Sequence, residues 1–139
     1  MSDLDRKPSR QPVILVVEDE PEERFLAATM LEEAGFQVVE AETAERALTI
    51  LRERGDGIDV VFSDVRTPGP IGGFELARVI NVTWPRMHVI LTSGDAGDQP
   101  SDLRMSATFV KKPWRALDIL NLVERAAGAR RGSPVLRGA

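Results

Sequence analysis

Cysteine is missing from the chain, and histidine occurs once, at His88. Disulfides, thiolate metal sites and cysteine nucleophiles are therefore excluded, as is a metal site built from several histidines of one chain. No apolar run is long enough to cross a bilayer. The polar N-terminal stretch, Ser2 to Arg10, lacks the apolar core of a signal peptide. No repeat of fixed length and no low-complexity segment is present. These absences suit a cytoplasmic protein without a membrane partner.

What is present fits one globular domain of 139 residues with 42% apolar content. The net charge is −4 and unevenly spread. Arg6, Lys7, Arg10, Arg130, Arg131 and Arg137 lie near the ends. Between Gln11 and Ala127 there remain 12 basic and 20 acidic residues, a formal −8. An acidic body argues against direct nucleic-acid binding. The expected organisation is a disordered tail over 1–11, a domain over 12–127 and a flexible tail over 128–139.

Hydrophobic patterning divides the domain into alternating strands and helices. The strands are Val13 to Val17, Phe36 to Ala41, Asp59 to Ser63, Met87 to Leu91 and Thr108 to Val110. Pro21 suits a first helical turn, where its missing N–H costs nothing. Ala27, Met30, Leu31 and Ala34 then form an apolar stripe, and Gly35 is a stop. Thr43 is placed to cap a second helix with Ala44, Ala47, Leu48 and Leu51 inward. Leu76, Val79 and Ile80 mark a third helix, which ends before Pro85. A short fourth is expected around Ser101 to Ser106. Ala116, Ile119, Leu120 and Val123 mark the last. Repeated βα alternation implies a parallel sheet covered by helices on both faces.

Parallel sheets carry their sites at strand carboxyl ends. Here the strands lead into Glu18 and Asp19, Asp64, Thr92 and Ser93, and Lys111 to Pro113. Taken singly, each has a plain explanation. The acids suit a helix N-terminus, Thr92 suits a cap, and Lys112 reads as a surface lysine. Their joint placement at successive strand ends points to chemistry instead. Three gathered carboxylates repel one another unless a cation sits among them, and Mg²⁺ accepts such oxygen ligands. Asp64 is the candidate nucleophile toward a phosphoryl group. Lys112 and the Thr92 hydroxyl are placed to neutralise and bond its oxygens.

The stretches "VILVVEDEP", "VVFSDVRTPGP", "GGFELARVI", "VILTSG" and "FVKKPW" together resemble the receiver domain of two-component response regulators, over about Pro12 to Ala127. The resemblance implies a flavodoxin-like (βα)5 three-layer sandwich with a five-stranded parallel sheet of order 2-1-3-4-5. It implies Asp64 as phosphoacceptor and Mg²⁺ as cofactor. Asp19 would ligate the metal directly, Glu18 often through water, and Arg66 through its backbone carbonyl. Thr92 and Phe109 would be the switch pair, and Lys112 would precede a cis Pro113. The phosphodonor would be a histidine kinase or a histidine phosphotransfer protein. Output would pass to a downstream protein target, with a second copy of the chain as a further candidate partner.

Some residues depart from the family pattern. Thr67 replaces the common Met before Pro68, and the loop from Pro68 to Gly73 is one residue longer than in the chemotaxis type. Phe109 has no hydroxyl, Gly94 opens access to water, and Arg66 is large and charged. Too few residues follow the last helix for a DNA-binding output domain, so the expectation is a stand-alone receiver. It would be no enzyme beyond promoting its own phosphorylation and dephosphorylation. Two rivals are a phosphorylation-independent interaction or dimerisation module and a metal-dependent phosphatase or Toprim-like enzyme. The Toprim type needs Asp-x-Asp after a central strand, whereas Val65 and Arg66 follow Asp64.

Overall fold

The computed structural model describes residues 11–94 and 99–131, with side chains through residue 128. The strands are β1 (Val13–Val17), β2 (Gln37–Ala41), β3 (Val60–Asp64), β4 (His88–Ser93) and β5 (Ala107–Lys111). The helices are α1 (Pro21–Glu33), α2 (Ala44–Arg54), α3 (Gly73–Thr83) and α4 (Ala116–Arg131). All strand pairs are parallel, in the order β2-β1-β3-β4-β5. This is the flavodoxin-like arrangement that the family resemblance implied.

The central strands are buried on both faces, so they read as continuous apolar runs. Alternate residues serve opposite layers. Val13, Leu15, Val17, Val61, Val89 and Leu91 pack with α2 and α3, through Ala44, Ala47, Leu51, Leu76 and Ile80 among others. Ile14, Val16, Val60, Phe62 and Ile90 pack with α1 and α4, through Ala27, Leu31, Ile119 and Val123. The result is three layers with a hydrophobic seam on each side of the sheet.

Local signals explain most element ends. Pro21 opens α1. Gly35 follows it at φ +100°, a conformation that a side chain would strain. The Thr43 hydroxyl accepts a hydrogen bond from the Arg46 N–H at 3.0 Å and caps α2. Asp59 stands just outside β3, buried, and its carboxylate accepts the Val13 N–H at 2.8 Å.

Several expectations need correction. Phe36, Asp59 and Met87 lie outside their strands, while β3, β4 and β5 extend further toward the carboxyl edge. The expected fourth helix is a single 3₁₀ turn, Ser101–Leu103, anchored by the buried Leu103. The segment is too short for cooperative α-helix formation. Ala34 and Ala116 are exposed and Val79 is partly so, because each sits at the edge of its apolar stripe; Ala77 takes the inward place on α3. The last helix runs past Ala127 to Arg131, since one glycine lowers helix propensity by only about 1 kcal/mol. Residues 1–10 and 132–139, most of the two expected tails, lie outside the described residues, as does 95–98 of the polar loop. Among the described residues, no helix is long and apolar enough to cross a membrane.

Candidate functional site

Strand register brings the chemistry together. Val17 pairs with Ser63, Asp64 with Thr92, and Ser93 with Lys111. The polar residues that close β1, β3, β4 and β5 therefore share one edge of the sheet. Loop hydrogen bonds hold that edge level. The Glu18 N–H donates to the Ala41 carbonyl at 3.0 Å, Val65 N–H to Thr92 at 2.9 Å and Lys112 N–H to Ser93 at 2.9 Å.

Glu18, Asp19 and Asp64 each bring a carboxylate oxygen to this edge, all within 4.8 Å of one another. Glu18 is buried, Asp64 half-buried and Asp19 exposed. The Lys112 ammonium spans the cluster. Its Nζ donates to Asp64 Oδ2 at 2.8 Å and to Glu23 Oε1 at 3.0 Å, with Glu18 Oε1 at 3.4 Å. The Lys112–Pro113 peptide is cis.

The electrostatics follow from this crowding. Burial pushes the Glu18 carboxyl up to about 7. The negative charges of Asp64 and Glu23 add to that, while the Glu20 N–H and Lys112 oppose it. Burial alone would lower the Lys112 ammonium. Hydrogen bonds to Asp64 and Glu23 reverse this, and the group is held well above its ordinary value. One ammonium thus faces three carboxylates in a partly dehydrated pocket.

The pocket's walls have their own supports. Gly73 opens α3 directly against the backbone of Asp64 and Val65, and its N–H donates to the Val65 carbonyl at 2.8 Å. A Cβ there would stand 2.5 Å from the Asp64 carbonyl oxygen, so no side chain fits. The Glu75 carboxylate accepts the Gly72 N–H at 3.0 Å, which holds it below the usual carboxylate range. The Arg66 N–H donates to Asp64 Oδ1 at 3.0 Å, fixing one carboxylate oxygen while Lys112 takes the other.

A cleft of about 420 Å³ leads to Asp64. Its apolar wall includes Leu26, Ala27, Phe62 and Trp114; its polar wall includes Glu18, Glu23, Thr92 and Lys112. Trp114 packs edge-on against Phe62, with centroids 5.7 Å apart. Thr92 is 2% exposed and lines the cleft. Phe109 is half-buried against the core, 6.4 Å from the Phe74 ring, and sits on β5 beside Leu91. His88 is exposed at the opposite end of β4.

The polar residues singled out in the sequence thus lie together at one strand edge, while Phe109 does not line the cleft and packs in the layer of α2 and α3, against Phe74. Two neighbours had escaped notice. Glu23 shares Lys112. Arg24 donates to the Glu18 carbonyl at 2.9 Å and to Glu40 Oε1 at 3.1 Å, tying the acidic loop to β2. Both sit in the first turns of α1, immediately after the acid pair. That position puts them near the strand ends, but it does not show which of them meets Lys112 or the Glu18 carbonyl.

A doubly wound parallel sheet with polar groups gathered at its carboxyl edge defines the class of open α/β domains whose ligand sites lie at that edge. The sequence model of the response regulator receiver domain family matches residues 14–124, and the chain belongs to that family. It is 32% identical over 121 residues to the sensor kinase CckA of Brucella abortus, covering 84% of this chain and 12% of the kinase. A receiver domain protein from Clostridium thermocellum superposes with a TM-score of 0.80 at 28% identity, over 86% of this chain and 97% of that one. The response regulator TrrA of Thermotoga maritima, solved in complex with Mg²⁺ and BeF, gives 0.75 at 30% identity over 84% and 99%. The chain spans between 12% and 25% of the length of the curated relatives it first matches. Receiver domains are signalling modules, and this acidic cluster suits a hard divalent cation.

Proposed function

We propose that the chain accepts a phosphoryl group on Asp64 and signals by the resulting change in its protein contacts. The observation that carries this reading is the Lys112 ammonium 2.8 Å from Asp64 within a cluster of three carboxylates. The phosphodonor is a phosphohistidine of a histidine kinase or histidine phosphotransfer protein. An Asp64 carboxylate oxygen attacks phosphorus, the P–N bond breaks, and the imidazole leaves with its electron pair.

Glu18, Asp19, Asp64 and the Arg66 carbonyl would hold Mg²⁺. The donor set fits, since all are oxygens and the three carboxylates are gathered without enough positive charge to balance them. Bound there, the ion would offset the charge on the transferred group. The chain's own residues do the rest. Arg66 N–H orients the Asp64 carboxylate. Lys112 leaves that carboxylate for a phosphoryl oxygen, and the buried Thr92 hydroxyl donates to another. Movement of Thr92 opens room for Phe109 to turn inward, shifting a population between two packings. A downstream protein, or a second copy of the chain, reads that shift.

A phosphorylation-independent interaction module would have no use for a lysine held among three acids. Incubation with acetyl phosphate and Mg²⁺ should label the wild type and leave Asp64→Asn unlabelled. Full labelling of that variant would remove the basis of the reading.

A further inference from the structure

Glu23 is outside the set of residues needed to hold a cation or a phosphoryl group, yet it takes part of Lys112. Its carboxylate is 3.0 Å from Nζ, nearly as close as Asp64 at 2.8 Å. Its side chain is 54% exposed, against 12% for Asp64, so it stands at the rim while the acceptor lies inside. It also lines the cleft that ends at Asp64. Its neighbour Glu22 shares the helix's first turn and its favourable dipole, but does not line that cleft. Dipole stabilisation therefore accounts for an acid in this turn, but not for the contact with the lysine.

Building on the phosphoacceptor reading, we propose that Glu23 is a specificity-determining residue that selects phosphodonors by charge. A donor must bring a phosphoryl oxygen to Nζ, where the Glu23 carboxylate already sits. The negative charge repels the donor in proportion to the donor's own charge, and the existing ion pair must be given up. Acetyl phosphate is a dianion at neutral pH; phosphoramidate is a zwitterion of net charge −1. Transfer from the first breaks the P–O bond and releases acetate with the electron pair. Transfer from the second breaks the P–N bond and releases ammonia, its nitrogen being already protonated. Both form the same Asp64 phosphoryl bond, so the two donors differ chiefly in charge and leaving group. Each variant is compared with wild type on the same donor, which cancels the leaving group.

The test measures initial labelling rates by intact-mass spectrometry at saturating Mg²⁺ for the wild type, Glu23→Gln, Glu23→Asp and Glu22→Gln. Glu23→Gln should speed labelling by acetyl phosphate about threefold, the size of one partly exposed charge interaction. Because the logarithm of the effect scales with donor charge, phosphoramidate should gain only about 1.7-fold. High salt should shrink both gains, as screening requires. Glu23→Asp should keep the wild-type donor ratio, and Glu22→Gln should move it less than Glu23→Gln. An equal gain for both donors, no gain, or insensitivity to salt would overturn the proposal. A wild type labelled by neither donor would instead refute the phosphoacceptor reading, and this proposal with it.

Discussion

Asp64 is oriented from both sides: the Arg66 N–H holds Oδ1 at 3.0 Å and Lys112 holds Oδ2 at 2.8 Å. Such double tethering aims the carboxylate before any donor arrives. Asp19, exposed beside it, has a different task in the proposed function, that of a cation ligand. Asp19→Ala should weaken Mg²⁺ binding about tenfold or more, since even residues behind a metal's ligands commonly cost that much. Trp114 lines the cleft and supplies the fluorescence for the titration. Unchanged affinity would remove Asp19 from the ligand set. Lys112 is the sole ammonium shown to pair with this cluster among the described residues. Lys112→Ala leaves Glu18, Asp64 and Glu23 facing one another, and should destabilise the metal-free protein by about 1–2 kcal/mol after allowance for solvent screening. Thermal melts should show Mg²⁺ restoring more stability to this variant than to the wild type. Equal gains would mean that the acids do not share one ion.

Elements matter here because two of them set the position of Asp64. β3 carries Asp64 out of the core, and α3 begins with Gly73 pressed on the same backbone. Gly73→Ala has no room, because the new Cβ would meet the Asp64 carbonyl oxygen at 2.5 Å. We expect it to cost about 1–3 kcal/mol, as overpacking does, and to slow labelling at Asp64. Denaturant melts and labelling rates measured together decide this. A variant with wild-type stability and rate would show that the loop yields freely. The sequence showed the paired glycines only as a loop, because close approach of two backbones leaves no periodic trace. It showed α2 far better, since Thr43 and the Ala44, Ala47, Leu48 and Leu51 stripe are local signals. Edge positions such as Val79 and Ala116 were misplaced, because small shifts in helix rotation decide their exposure.

For the whole molecule, alternating periodicity was enough to give the layers, and the residue types at the strand ends were enough to show which polar groups the sheet edge gathers. Strand order was harder, and came from family resemblance rather than from any residue pattern. Side-chain sharing was invisible. Nothing in the string places Glu23 nearer Lys112 than Glu22, or ties Arg24 to the Glu18 carbonyl; both depend on the turn of α1 over the sheet edge. The fourth crossover likewise departs from the simple βα repeat; its 3₁₀ turn is joined to α3 by the Arg78–Asp102 pair at 2.7 Å, and the residues after the turn by Asn81 to Ser106 at 2.7 Å. In the proposed function the molecule is a scaffold that makes one aspartate reactive and then repacks around its product.

The most direct measurement is the mass of the intact protein after acetyl phosphate and Mg²⁺, with the adduct mapped to a residue. The account predicts one phosphoryl group, carried by the carboxylate at the end of β3 and lost in Asp64→Asn. An adduct on another side chain, or one that survives that substitution undiminished, would contradict it.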